Sequence, residues 1–453
     1  MNTRSEYLFN EMPIRKAIFK LALPTILALM VRAVYNIVDT AYLGFLNNTA
    51  VLSAIGVVTP LLLIINSFEV IFSIGGSLII SRQLGKKDKL GAEQTAATVT
   101  CISFLLGIFI AIMGIWFMEP VLKAFGASKA VLPYAKQYAF WMFLMTSFNI
   151  PTQSLNAIAR GESEAHIPSL AVMVGTVVNI VLDPIFMFEW GLDLGITGAA
   201  IATAIAQLVS FLIIFGFFLS KRSYIHLYIK KIHFTMPLIK EILITGIPSA
   251  ITQLLIAFAG AACNIVAVSL PLGDYVIAAC GVVQKIMIIG YNFVLGYVQG
   301  FQSIAAYAWG ARNYRRVIES IKATIKNLIK LTLSISFMYV VFSSVWLRIF
   351  TSSSEVIYYG KRILFSNSIL FIAFSISYLM TVLCQLSNEG KKGVALSIFR
   401  QGVFFIPLIF LLTNQLGFKG FLLAQPIADL ITLMICMIAL MKFNKKISAM
   451  SLT

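Results

Sequence analysis

Four carboxylates stand inside long apolar runs of this chain: Asp39, Glu69, Asp183 and Asp429. A carboxylate among hydrocarbon neighbours is costly unless it is protonated, paired or put to use. Asp183 lies in VVNIVLDPIFMF, four residues after Asn179, so amide and carboxylate project from one helical face. Pro184 follows and weakens the local backbone ladder, freeing a carbonyl. Carboxylate, amide oxygen and free carbonyl are hard oxygen ligands suited to Na⁺, or a relay for H⁺; a helix–helix hydrogen bond around a proline kink would use the same groups. Asp39, in VRAVYNIVDTAYLG, has Tyr35 four residues earlier on its face. It reads as a proton or cation site, or as a helix-end residue near the outer interface. Glu69, in NSFEVIFSIGG, could attract a cationic substrate or pair with Arg32. For Asp429, in QPIADLI, Arg400 on the preceding helix is the candidate partner, and a structural pair is expected.

Enzymatic chemistry finds little to work with. The three histidines, His166, His226 and His233, lie in or beside polar connections, and no HExxH, GxSxG, CxxC or phosphate-binding loop occurs. The five cysteines sit inside apolar runs at no metal-binding spacing, so they read as small packing residues without a disulfide framework. No cofactor is expected beyond a coupling ion, and no metal beyond Na⁺.

The elements that must position these acids are membrane helices. Of 453 residues, 59% are hydrophobic and 12% charged, against roughly 25% charged in soluble domains. Apolar stretches recur along the whole length, and the short alternating segments of a β-barrel do not. The periodicity predicts twelve helices near 17–45, 53–82, 93–117, 132–157, 167–188 and 197–219, then 243–270, 276–309, 318–346, 357–386, 394–414 and 418–442. The fold class is therefore all-α, twelve transmembrane helices in two six-helix lobes: 1–219, a cytoplasmic or interfacial linker 220–242, and 243–453. The first two helices of each half exceed the roughly 20 residues that span a bilayer, so they should tilt, bend or project. The N-terminal residues show no cleavable signal pattern.

The net charge of +17 does not indicate nucleic acid. With the N-terminus inside, twenty-four Lys and Arg fall on inner connections and seven on outer ones. That asymmetry is the positive-inside rule: it orients the chain against anionic lipid, with both termini cytoplasmic.

The chain also repeats itself. Gly56-Val57-Val58 returns as Gly281-Val282-Val283, and Gly75/Gly300 and Gly85/Gly310 keep the same offset of 225. Six helices per half put the copies in the same orientation, related by an axis along the membrane normal, a transporter architecture. The acids do not repeat. Asp39, Glu69 and Asp183 align with Cys263, Val294 and about Ile406, which places the ion chemistry in the first half. Seventeen Met and 35 Phe could give the rest of a cavity an adaptable, cation-tolerant lining.

YNIVDTAYLG around Asp39, SRQLGKKD with its counterpart WGARNY, NAIARGES, and NIVLDP followed by GAAIAT together resemble the multidrug and toxic compound extrusion (MATE) transporters, most closely the bacterial MepA-type branch. The resemblance covers nearly the whole chain. It implies a V-shaped bundle whose central cavity opens alternately to either side, exporting lipophilic organic cations against Na⁺ or H⁺ across the bacterial cytoplasmic membrane, as a monomer. It implies a coupling-cation site at Asp39, Asn179, Asp183 and Thr203. Tyr35, Asn36 and Glu69, with Gln253 in the second half, are the substrate-binding candidates. A lipid-linked saccharide flippase of the same superfamily is the alternative, and would want a cationic cavity for its pyrophosphate. A channel would need a pore-lining ring, which a two-fold repeat with an asymmetric acid cluster does not supply.

Overall fold

The computed structural model describes residues 3–45, 49–270 and 273–450, and among these there is no strand. The first half runs α1 (Thr3–Asn10), α2 (Ile14–Phe45), α3 (Thr49–Gly85), α4 (Lys89–Trp116), α5 (Met118–Ala124), α6 (Leu132–Gly161), α7 (His166–Met187) and α8 (Gly195–Leu219). The second runs α9 (Met236–Val268), α10 (Gly273–Gly310), α11 (Tyr314–Val341), α12 (Ser343–Arg348), α13 (Ser354–Ile369), α14 (Phe371–Leu386), α15 (Gly390–Ile398), a π turn (Phe399–Phe405), α16 (Ile406–Leu416) and α17 (Phe418–Met450).

The 225-residue offset governs backbone detail. Lys87 and Arg312 both take a left-handed φ, 62° and 56°, and so do Ser163 and Asn388, at 80° and 63°. Asp88 and Asn313 each cap the next helix, accepting from the amides of Gly91 and Arg316. Each offset-matched pair turns the chain the same way at the same point. The halves are therefore two copies of one handed unit.

Ten of the described helices are long and apolar enough to cross a membrane, and the bent pair α13–α14 makes an eleventh span. The twelfth expected span, α6, is continuous over 30 residues but falls short in hydropathy. It packs against α3, α4 and α8, and Thr146, Thr152, Ser154 and Asn156 on it are buried. Protein neighbours rather than lipid surround those side chains, which is where polar residues in a span are tolerated.

Two expected single helices are broken. The segment expected at 357–386 bends by 45° between α13 and α14. There Ser336 of α11 donates to the Ser368 carbonyl at 2.8 Å, drawing off an acceptor of the helical ladder. The segment expected at 394–414 widens into the π turn just before Pro407, which lacks the amide that Val403 would need. At 37 and 38 residues, α3 and α10 are each about 55 Å long, well beyond a hydrocarbon core of about 30 Å.

The expected lobe boundaries shift. Helix α9 starts at Met236, so the connection ends earlier than 242. Residues 223–233 strap onto the first half. Ser223 and the Ile225 amide donate to Glu162, Lys231 pairs with Glu93, and the His233 amide donates to Thr98 at 3.0 Å. Helix α1, expected with the first half, docks on the second. Phe9 stacks on Tyr307 at 4.5 Å, and the Arg316 guanidinium donates to the carbonyls of Leu8 and Met12.

The halves meet through α2 on α10, α3 on α9 and α3 on α10. The repeated glycines show where. A Cβ on Gly85 would come 2.0 Å from the Tyr307 carbonyl oxygen, and one on Gly310 would come 1.9 Å from that of Arg82. Likewise Gly75 lies against Ile242 and Gly300 against Ile18. Gly56 and Gly281, at the opposite ends of the same two helices, have no atom of the described residues within 4 Å of a built Cβ. Arg82 tightens the closed end, pairing with Glu241 at 3.0 Å and donating to the Leu386 carbonyl at 3.5 Å. The two halves are clamped at their basic ends and free of close contact at Gly56 and Gly281.

Candidate functional site

Helices α2, α7 and α8 pack together in the first half, bringing Tyr35, Asp39, Asn179, Asp183 and Thr203 to one place. Asn179 and Asp183 share a face of α7, as their spacing requires, and the amide donates to Asp183 Oδ1 at 2.6 Å. Both are buried, Asp183 completely. Its second carboxylate oxygen, Oδ2, has no hydrogen-bond partner among the described residues. Pro184 removes the amide that would bond the Ile180 carbonyl, leaving a further oxygen beside the pair. Across the helix interface the Tyr35 hydroxyl and Thr203 Oγ1 are 3.5 Å apart.

Asp39 is half-buried one turn beyond Tyr35 on α2. Its carboxyl lies within Coulombic range of Asp183 and of the Tyr35 and Tyr138 hydroxyls. No Lys or Arg forms an ion pair with Asp39 or Asp183 among the described residues. Two acids therefore share a low-dielectric site without a protein counter-charge, and only a bound cation or a proton relieves that arrangement. The donors are oxygens, the set that suits Na⁺ or H⁺ rather than a soft metal. No group of three or more His, Cys, Asp or Glu that could hold a metal ion occurs among the described residues.

Tyr138 escaped the sequence reading. It sits on α6 with no acid or amide at helical spacing, and only the packing of α6 against α7 and α8 brings its ring to the acids. Asn36 is in α2, but its side chain lies outside the described residues.

Glu69 is a separate station. Buried on α3, it accepts from Asn149 of α6 at 3.2 Å. Arg32 acts on it electrostatically but is not within ion-pair distance. The carboxylate therefore keeps accepting capacity, which an Arg32 pair would have taken. Asn149 could have been suspected as a lone amide in an apolar run, but its partner could not. Gln253 is exposed on α9, which packs on α3, α10 and α14–α16, so the structure does not bring it to the acid cluster. In the second half Arg400 Nε donates to Asp429 at 2.8 Å and Gln425 donates at 2.9 Å. This is the structural pair expected, held in place by the π turn that carries Arg400.

A family model, MatE, matches residues 24–185 and again 248–411, once in each half. The multidrug export protein MepA of Staphylococcus haemolyticus is 25% identical over 448 residues, 99% of this chain and 98% of that protein. MepA of Staphylococcus aureus strain NCTC 8325 is 26% identical over 436 residues, 95% of this chain and 94% of the relative. Among solved structures, an outward-facing conformation of a multidrug resistance MATE family transporter of the MOP superfamily superimposes with a TM-score of 0.93 at 25% identity, covering all of both chains. A MOP superfamily transporter from Pyrococcus furiosus, described as having a binding pocket of reverse polarity that suggests a different function, superimposes with a TM-score of 0.91 at 25% identity over 99% of each chain.

Proposed function

This chain belongs to the MatE family, a family of membrane transporters, and from that premise we propose that it exports lipophilic organic cations from a bacterial cell in exchange for Na⁺ or H⁺ taken up in its first half. The observation that carries the proposal is the pair Asp39 and Asp183, two acids within Coulombic range, one fully buried with an oxygen that has no hydrogen-bond partner, and no Lys or Arg paired with either, among the described residues. A site so built is unsatisfied until a cation enters it. Multidrug export is the activity named for the MepA relatives. Two uncompensated carboxylates also suit a cationic cargo better than the polyanionic head of a lipid-linked saccharide.

Alternating access follows from the repeat. The basic ends of the halves, cytoplasmic by the positive-inside rule, are clamped at Gly85 and Gly310, while Gly56 and Gly281 stand free. We read this as an outward-facing arrangement, a reading that the match to an outward-facing relative supports. In it the coupling ion binds at Asp39, Asn179, Asp183 and Thr203. Re-packing of α2 against α7 and α8 then disfavours the organic cation, which Tyr35 and Glu69 help hold, and the cargo leaves. Antiport needs the two ligands to favour different states, and one carboxylate that cannot satisfy two cations provides this.

The test is ethidium efflux from energised cells lacking their main pumps, comparing wild type with Asp39→Asn at matched expression. Loss of efflux in the variant supports the site; equal efflux by both removes it. Vesicles with an imposed Na⁺ or H⁺ gradient then identify the ion.

A further inference from the structure

The acids of the first half leave the basic end of the second half unexplained. A cavity of about 480 Å³ opens there between α14, α15 and α17. Its walls are apolar, from Met380, Leu396, Ile438 and Phe443, and its polar lining is Lys392, Lys442, Lys446 and Glu389. The Glu389 carboxylate is divided between two ammoniums, Lys446 at 2.6 Å and Lys392 at 3.0 Å. Those bonds hold the Glu389 carboxyl below the usual carboxylate range, so it stays charged. Lys442 has no ion-pair partner among the described residues. Three positive charges against one negative leave a surplus of positive charge fixed at the mouth of an apolar cavity.

The fold itself does not call for this cluster. At the repeat offset, Lys392, Lys442 and Lys446 correspond to Ile167, Phe217 and Lys221, so two of the three lysines have apolar counterparts. The equivalent corner of the first half is also covered by chain: Ser223 and the Ile225 amide bond Glu162 there, and Ile225 is fully buried. The second half keeps an open cavity where the first half has the strap, and it adds ammoniums around it. Apolar Met434, Met437 and Met441 are exposed beside the cavity on α17, as on a face turned to acyl chains.

We propose that this cavity binds one anionic glycerophospholipid of the surrounding membrane. Its phosphate lies on Lys392, Lys442 and Lys446, and an acyl chain runs along the apolar wall. A volume of this size falls in the range of small-ligand sites, and basic pockets between spans on the cytoplasmic side suit anionic headgroups. A neutral zwitterionic lipid would leave the surplus positive charge uncompensated, so the site discriminates by headgroup charge.

Native mass spectrometry of the full-length protein, released from micelles containing equal dioleoyl phosphatidylglycerol and dioleoyl phosphatidylcholine, tests this. Wild type should retain phosphatidylglycerol in preference. Lys442→Gln breaks no pair in the protein and should lower that preference about fivefold, while Lys442→Arg keeps it. Ala439→Trp fills the cavity with every lysine intact and should also abolish retention. Three outcomes would overturn the proposal: equal retention of both lipids by wild type, unchanged preference in Lys442→Gln, or undiminished retention in Ala439→Trp.

Discussion

Gly310→Ala should drive the two halves apart at their basic ends. A Cβ at that position would stand 1.9 Å from the Arg82 carbonyl oxygen, a backbone atom that no rotamer change can move. Carbon and carbonyl oxygen do not approach closer than about 3.3 Å, so α3 and α10 must separate by about 1.4 Å or tilt. Overpacking of this kind costs about 1–3 kcal/mol, and it falls only on the state in which these helices touch. The ratio of cytoplasm-open to cytoplasm-closed molecules should therefore rise by about 5- to 150-fold. Ala22 reports that ratio, because it is fully buried on α2 against Gly300 in the clamped interface. In a chain whose five native cysteines are replaced, Ala22→Cys should react with a membrane-impermeant maleimide in inside-out vesicles. Adding Gly310→Ala should speed the reaction by that same factor. Gly85→Ala should do likewise, since its Cβ would meet the Tyr307 carbonyl at 2.0 Å. If neither alanine changes the rate while both proteins fold, the glycine clamp is not the gate and the two-state reading of the halves is wrong.

Asn179→Ala removes a hydrogen bond to a buried carboxylate, worth about 1.5–3 kcal/mol. The coupling-ion concentration for half-maximal efflux should shift about ten- to hundredfold, upward for Na⁺, which loses a ligand, and downward for H⁺, which meets a carboxylate without its donor, and an unchanged value would place the ion elsewhere. Arg400→Met strands Asp429 as a lone buried charge and should cost about 3–5 kcal/mol of stability, seen as a lower melting temperature; the double variant Arg400→Met, Asp429→Leu should recover most of it. Burial lifts the Glu162 carboxyl to about 7 from an ordinary 4.5, although Ser223 and the Ile225 amide oppose this. The docked strap thus binds that proton more tightly than the free chain does. Its contribution is complete below about pH 4.5 and is lost as pH rises through about 7. Tryptic cleavage after Lys221 or Arg222, compared with Glu162→Gln at each pH, should accelerate between pH 5 and 8 in wild type only.

The repeat was legible because an offset is a property of order along the chain. The left-handed turns at Lys87 and Arg312 and the caps at Asp88 and Asn313 keep the same offset of 225 as the glycine pairs. The Asn179–Asp183 hydrogen bond was legible for a similar reason, since four residues of one helix fix two side chains on one face. What the sequence withheld was contact between distant elements. Asn149 for Glu69, Tyr138 for the acid pair, and the docking of α1 on Tyr307 each join helices far apart in the chain. The break in the helix expected at 357–386 was hidden in the same way, because Ser336, which draws off the carbonyl, belongs to another helix.

The division between what repeats and what does not bears on the proposed coupling of ion to cargo. Both halves contribute equally to the clamp: Gly85 meets Tyr307 and Gly310 meets Arg82, each pair being the other's image. A motion about that clamp is therefore symmetric at the hinge. Charge breaks the symmetry. In the first half Asp39 and Asp183 have no ion-pair partner among the described residues, while in the second Arg400 neutralises the buried Asp429 and Gln425 donates to it. A cation entering the cleft thus finds its electrostatic gain on one side only. Its binding can bias the equilibrium of the whole molecule only if the packing of α2 differs between the two states, because a ligand shifts a two-state equilibrium by no more than its difference in affinity for them. Helix α2 is placed to supply that difference. It carries Asp39, it packs on α7 beside the proposed ion site, and its first turns press Ile18 and Ala22 against Gly300 at the clamp.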